Sequence, residues 1–145
     1  MNIRELQEYL KDRLNKVESL VQGGCKAFAE DTRSVYDESN QWISGGKVAL
    51  VVVTPDMTRN GIAENGIPME TKLMVRCVEM APVASSSHVM RALDAAELVG
   101  HELDGSTFNL ESIRQTADER SKTITATATF NVTVHLTKPT NNEGD

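Results

Sequence analysis

From Lys122 to Thr137 the chain alternates almost without exception between apolar and polar residues. Ile124, Ala126, Ala128, Phe130, Val132, Val134 and Leu136 fall on one side; Thr123, Thr125, Thr127, Thr129, Asn131, Thr133, His135 and Thr137 fall on the other. Successive side chains of a strand point to opposite faces, so the stretch reads as a β-strand with one buried and one solvated side. At about 3.3 Å per residue it would run roughly 50 Å. A compact chain of 145 residues has a radius of gyration near ~15 Å and is under ~40 Å across. A straight strand of that length overruns its own fold, so it must bend sharply or project and find a partner. That favours a building block over a self-contained enzyme.

The length predicts a single α+β domain over residues 1–138, able to bury about two thirds of the unfolded surface. With six aromatic residues in all, the core has to be mostly aliphatic. A net charge of −6 argues against general nucleic-acid binding, which needs clustered Lys and Arg. Cys25 and Cys77 belong to no CxxC or Cys/His cluster and read as buried free thiols in a reducing compartment. No apolar run approaches the ~20 residues of a membrane span. The acidic, amphipathic N-terminus has the wrong shape for a signal peptide, which predicts a cytosolic place of synthesis and no membrane association.

Ile3, Leu6, Leu10, Leu14, Val17 and Val21 recur at helical spacing, with Asn2 and Glu5 as a capping pair and Gly23-Gly24 as the stop. Cys25 to Glu30 is a short candidate strand, and Asp31 to Gly46 reads as a long polar loop anchored by Trp42 and Ile43. Val48 to Val53 is continuously apolar, as in a strand covered on both faces. Met69 to Met80 alternates, with Thr71, Leu73, Val75 and Cys77 opposite Lys72, Met74, Arg76 and Val78. Asn60-Gly61 and Asn65-Gly66 lie between these strands and predict a long hairpin whose tip, Met57 to Pro68, stands clear of the core. A second helix follows, capped from Ser85-Ser86-Ser87, striped by Val89, Leu93, Ala96, Val99 and Leu103, and ended at Gly105. Phe108 to Thr116 is a further strand in which Ile113 breaks phase and predicts a bulge. Ala117 to Arg120 turns into the long last strand, and residues 139–145 form a solvated tail expected to be disordered. The expected fold is therefore a mainly antiparallel sheet of four strands or slightly more, in the order α-β-β-α-β-β, with two helices on one face and a long projecting hairpin. The other face carries the threonine row and the Lys72/Arg76 row.

Chemistry is thinly represented. Ser85-Ser86-Ser87-His88 lacks a Gly-x-Ser-x-Gly elbow and reads as helix capping. Gly45-Gly46-Lys47 lacks the rest of a phosphate loop and reads as a turn before a strand. His88, His101 and His135 show no metal-ligand spacing, and Asp37-Glu38 and Asp118-Glu119 read as solvated charge. No catalytic residue, cofactor or metal site is predicted. The threonine face fits β-propensity on a solvated or interfacial surface better than an ice-binding array, which needs repeated coils.

Taken in order, the chain resembles the tail terminator (minor tail) proteins of long-tailed bacteriophages of the lambda type. The elements that carry the likeness are Ile3-Arg4-Glu5-Leu6 opening the first helix, Leu50-Val51-Val52-Val53-Thr54 as the first long strand, and Glu70-Thr71-Lys72-Leu73-Met74-Val75 as its partner. Val89 to Leu98 as the second helix and Thr123 to Leu136 as the closing strand complete it. The likeness covers nearly the whole chain and is one of element order and length, without a diagnostic motif. It implies a homo-oligomer, a hexameric ring that caps the tail tube, binds the tube protein and the head connector, and lets DNA pass without specific binding. It also implies a place in the virion tail, after assembly in the host cytoplasm. Shape alone nominates interface residues: Arg59 and Asn60 at the hairpin tip, Lys72 and Arg76 on the exposed row, and Arg114, Asp118, Glu119 and Arg120 at the last turn. The competing expectation is a small ligand- or peptide-binding module without catalytic activity, with an apolar cleft near Trp42.

Overall fold

A computed structural model describes residues 2–30, 32–62, 66–80 and 89–136. Four helices, α1 (Ile3–Leu14), α2 (Glu18–Gln22), α3 (Val35–Ser44) and α4 (Ala92–Leu103), accompany six strands among these residues. The strands are β1 (Cys25–Ala29), β2 (Val48–Val53), β3 (Met57–Arg59), β4 (Ile67–Met80), β5 (Asn109–Asp118) and β6 (Thr123–Leu136). They form one mixed sheet in the order β1-β2-β4-β6-β5, with β3 also paired to β4. The fold is α+β, as the alternation of helical and strand periods implied. The expected count of four strands, the antiparallel plan and the α-β-β-α-β-β order need correction. β1 joins the sheet parallel to β2, and two further helices appear.

The missed helix explains the missed parallel pair. Parallel neighbours need a crossover, usually helical, and α3 is that crossover, in the segment read as a polar loop. Val35, Ser39 and Ile43 stand four apart and are buried, while the rest of α3 faces outward and gives the segment its polar composition. Trp42 locks the unit: its Nε1–H donates to Val48 O at 2.8 Å and to Gly24 O at 3.2 Å. The Lys47 ammonium lies 4.1 Å from its ring centroid.

The long first helix is in fact two. Asn2 Oδ1 accepts from the Glu5 N–H at 2.8 Å and starts α1, as expected. The helix stops at Asn15, whose amide docks on β1: Ala27 N–H donates to Asn15 Oδ1 at 2.8 Å, and Asn15 Nδ2 donates to Ala27 O at 3.1 Å. Asn15 thus stands in for a neighbouring strand at the outer edge of β1. Helicity resumes only after Val17.

One sheet face is covered by α1, α2 and α4. Leu6, Leu10, Leu14, Leu20, Ala92, Ala96 and Val99 pack there against Leu50, Val52, Leu73, Val75, Ala126, Ala128 and Phe130. The stripe of α4 is made of small residues, which brings the helix close to β5 and β6. A Cβ on Gly100 would sit 3.1 Å from Leu110 Cδ2. Leu93, expected in that stripe, is instead 37% exposed, and Val89 precedes the helix. The expected caps at Ser85 to Ser87 and the tail at 139–145 lie outside the described residues. Among the described residues the second face is covered only at one end, where α3 packs Val35 and Ile43 against Phe28 and Ala49.

The overrunning strand finds its partner inside the chain. β4 has the same fourteen residues as β6 and pairs with it throughout, from Met80 opposite Thr123 to Ile67 opposite Leu136. The bulge predicted from Ile113 is present, with the β5 register shifting between Leu110 and Ser112.

Both cysteines are free and buried. Burial pushes the Cys25 thiol up to about 12 and raises Cys77 further, with Cys25 a second, smaller cause for Cys77. Neither thiol should react with a disulfide reagent at pH 8 in the native protein, and both should react after unfolding. Below pH 9 both states keep the proton. Above it the unfolded thiols ionise while the buried ones do not, so this contribution to stability falls as pH rises toward 12. Urea titrations at pH 8, 9 and 10.5 should show the midpoint decreasing over the last interval.

Candidate functional site

The open part of the second sheet face is where the predicted polar rows meet. Arg76 on β4 and Arg114 on β5 both stand opposite Thr127 of β6, so two guanidinium groups flank one threonine on the same face. Lys72 lies four residues from Arg76 on the same face, with Met74 between them, and its Nζ reaches Glu111 of the β5 bulge at 2.6 and 2.8 Å. The bulge residue therefore ties β5 to β4 across β6. With both partners more than one-third exposed, the pair adds well under ~1 kcal/mol. Lys72, Met74, Arg76, Arg114, Thr127 and Thr129 line a shallow depression of about 430 Å³. Among the described residues, Arg76 and Arg114 have no ion-pair partner.

Beside this basic strip, α3 overhangs a smaller and more apolar cavity of about 220 Å³. Val35 and Ile43 form its roof, Ala49, Val51, Val53 and Val78 form its floor, and Glu30 and Arg76 stand among its walls. Tyr36, 71% exposed, lies at its side. No sequence reading singled out this cavity, because it depends on α3. The spacing of Val35, Ser39 and Ile43, with Asp37 and Glu38 in the first turn, was the available signal. The groove beside Trp42 is different: about 600 Å³, and lined largely by polar groups such as Lys11, Lys26, Glu38 and Gln41.

The other nominated residues lie at opposite ends of the sheet. Arg59 ends β3, and its Nε donates to Gly61 O at 3.2 Å; the Asn60 N–H donates to Pro68 O at 2.9 Å. Gly61 and Gly66, with φ of +119° and +123°, take the backbone through this exposed tip. Asp118, Glu119 and Arg120 sit some forty ångströms away by strand length, about thirteen residues along β4. There Asp118 Oδ1 accepts from the Arg120 N–H at 2.9 Å and shapes the turn. The structure thus brings Lys72, Arg76 and Arg114 together and keeps the tip and the last turn apart.

The two outer edges of the sheet differ. That of β1 is stoppered by the Asn15 amide. On β5, the Leu110 N–H is taken by Asp104 Oδ1 at 3.0 Å, and from Ser112 to Asp118 the outer backbone has no partner among the described residues. Most β5 side chains are exposed.

No protein-family model matches the sequence, and no curated protein matches it. No helix is long and apolar enough to cross a membrane, and no cluster of three potential metal ligands occurs among the described residues.

Proposed function

We propose that this chain is a structural subunit that assembles with copies of itself into a closed ring, in the role of a phage tail terminator at the end of a tail tube. The observation that carries the reading is the inequality of the sheet edges. One is sealed by a side chain; among the described residues the other is bare over most of a strand, and the β3–β4 hairpin lies at the far end of the same sheet. A bare edge is a template for sheet extension. An edge met by a different surface of the next copy gives head-to-tail contacts, which close into a ring when the rotation from copy to copy closes and otherwise run on as a filament. The charges of Glu111, Arg114 and Asp118 on β5 oppose indiscriminate pairing and leave the edge selective. In this reading Arg59, Asn60, Arg76, Arg114, Asp118, Glu119 and Arg120 contribute to contacts between copies or with the tube and head connector, while Lys72 keeps its partner Glu111 and holds the surface in shape.

The tail role makes its own prediction. Labelled protein added to polymerising tube protein from the same genome should sit at one end of each tube and arrest its length. Tubes that grow unchanged, with the label left in solution, overturn the tail role. A small-ligand module is the weaker reading, because binding pockets for such ligands usually enclose about 300–1,000 Å³. The apolar cavity under α3 is smaller than that, and the larger grooves are shallow and polar.

A further inference from the structure

Two features of the surface have no use within one copy. Ile62, on the hairpin tip, is 84% exposed, the most exposed large apolar side chain among the described residues. The cavity under α3 is largely apolar, open at its mouth and, at about 220 Å³, large enough to admit one branched side chain. A knob and a hole on one molecule would satisfy each other if they could meet, but they cannot. The cavity is floored by Val78 and walled by Arg76, while the tip joins the sheet near Ile67 and Pro68, where the Asn60 N–H meets Pro68 O. Nine to eleven residues of β4 separate them, roughly 30 Å of strand.

The tip carries a cation, and the cavity wall carries both a carboxylate, Glu30, and a second cation, Arg76, so that the anion is the side of the wall a basic tip would meet. Arg59 stands three residues before Ile62 on the tip, and its Nε donates to Gly61 O. Glu30 stands exposed at the cavity wall, without an ion-pair partner among the described residues. A tip entering the cavity would bring the Arg59 guanidinium to the Glu30 carboxylate as Ile62 fills the space between Val35, Ile43 and Val51.

We infer that Ile62 of one copy inserts into the α3 cavity of the next, with Arg59 facing Glu30, as a head-to-tail contact between identical chains. This deepens the ring reading and rests on it. Because knob and hole differ and lie far apart, each copy offers one of each and the contact repeats until it closes. Tyr36 at the mouth supplies an aromatic wall that excludes water around the anchor, as at the centre of other tight interfaces.

The test uses the full chain, with association followed by sedimentation over a concentration series. Ile62→Glu, at an exposed position that leaves the fold intact, should weaken association ~10- to 100-fold, the effect of losing one buried aliphatic side chain. Val51→Phe, which fills the cavity, should do the same. Mixing the two variants should give a two-chain species that grows no further, since one supplies only the knob and the other only the hole. Glu30→Arg and Arg59→Glu should each weaken assembly, and their combination in one chain should restore it without dependence on core packing. Wild-type assembly by Ile62→Glu overturns this contact and leaves the ring reading standing. Assembly kept by Ile62→Glu but lost by Val51→Phe gives the cavity to another part of the neighbour and also overturns it. A wild-type chain that stays monomeric throughout overturns the ring reading, and the contact with it.

Discussion

Phe130→Ala is expected to cost about 3–5 kcal/mol of folding stability, the usual range for removing a buried phenylalanine. Phe130 lies at the middle of β6 and is fully buried, the largest such side chain among the described residues. In register it stands between Leu73 of β4 and Leu110 of β5, on the face covered by α4. The neighbouring positions along β6, Ala128 and Val132, are small, and the facing helix presents Ala95, Ala96 and Val99. Few neighbours are long enough to close the space, so the cavity persists and the cost belongs at the upper end. Domains have about 5–15 kcal/mol in total, so the variant should unfold at a much lower urea concentration. Phe130→Leu should lose less than half as much. A change below about 1 kcal/mol for Phe130→Ala would mean that Phe130 is not at the centre of the core.

Glu79→Ala should have the second largest effect, about 2–4 kcal/mol. Glu79 is a carboxylate on the helix-covered face of β4, only 8% exposed. One oxygen accepts from the buried Ala92 N–H at 2.5 Å and the other from Arg91 Nε at 2.7 Å. α4 has no side-chain cap of its own at Arg91, so the strand supplies the anion that the helix N-terminus favours. Truncation would leave a buried N–H without a partner, costing about 1–3 kcal/mol, and would remove a charge-assisted bond as well. The Arg91 side chain is 63% exposed, so its share is small. Glu79→Gln keeps an acceptor for Ala92 and should lose about half as much. Urea denaturation checks the totals, and amide exchange in the first turn of α4 should accelerate in Glu79→Ala more than in the β6 strand.

The sequence was most legible where one periodicity ran long. The alternation of β4 and β6 and the Leu6-Leu10-Leu14 stripe led to the observed elements. So did the broken phase at Ile113, which marks the bulge that lets Glu111 reach Lys72. It was least legible where a tertiary contact overrides local pattern. Val17 and Val21 continue the apolar spacing of α1, yet the helix breaks because the Asn15 amide pairs with Ala27, a residue in another element. α3 buries a narrow stripe and solvates the rest, so its composition resembles a loop. With α3 unread, the parallel β1–β2 pair, the second-face core and the apolar cavity were all invisible. The predicted overhang of β6 erred differently: the strand is as long as expected, but its partner strand is equally long. Of the nominated site, Arg76 and Arg114 converge because both register with Thr127 of β6, and Lys72 shares their face four residues away along β4. The tip and the last turn do not, since they lie at opposite ends of β4.

The most direct measurement is the mass of the assembled chain in solution, by native mass spectrometry with light scattering across a wide concentration range. A closed species of six copies, without a ladder of larger ones, is the predicted result, because head-to-tail contacts that close leave no free end. A monomer at every concentration, with or without tube ends present, would contradict the account.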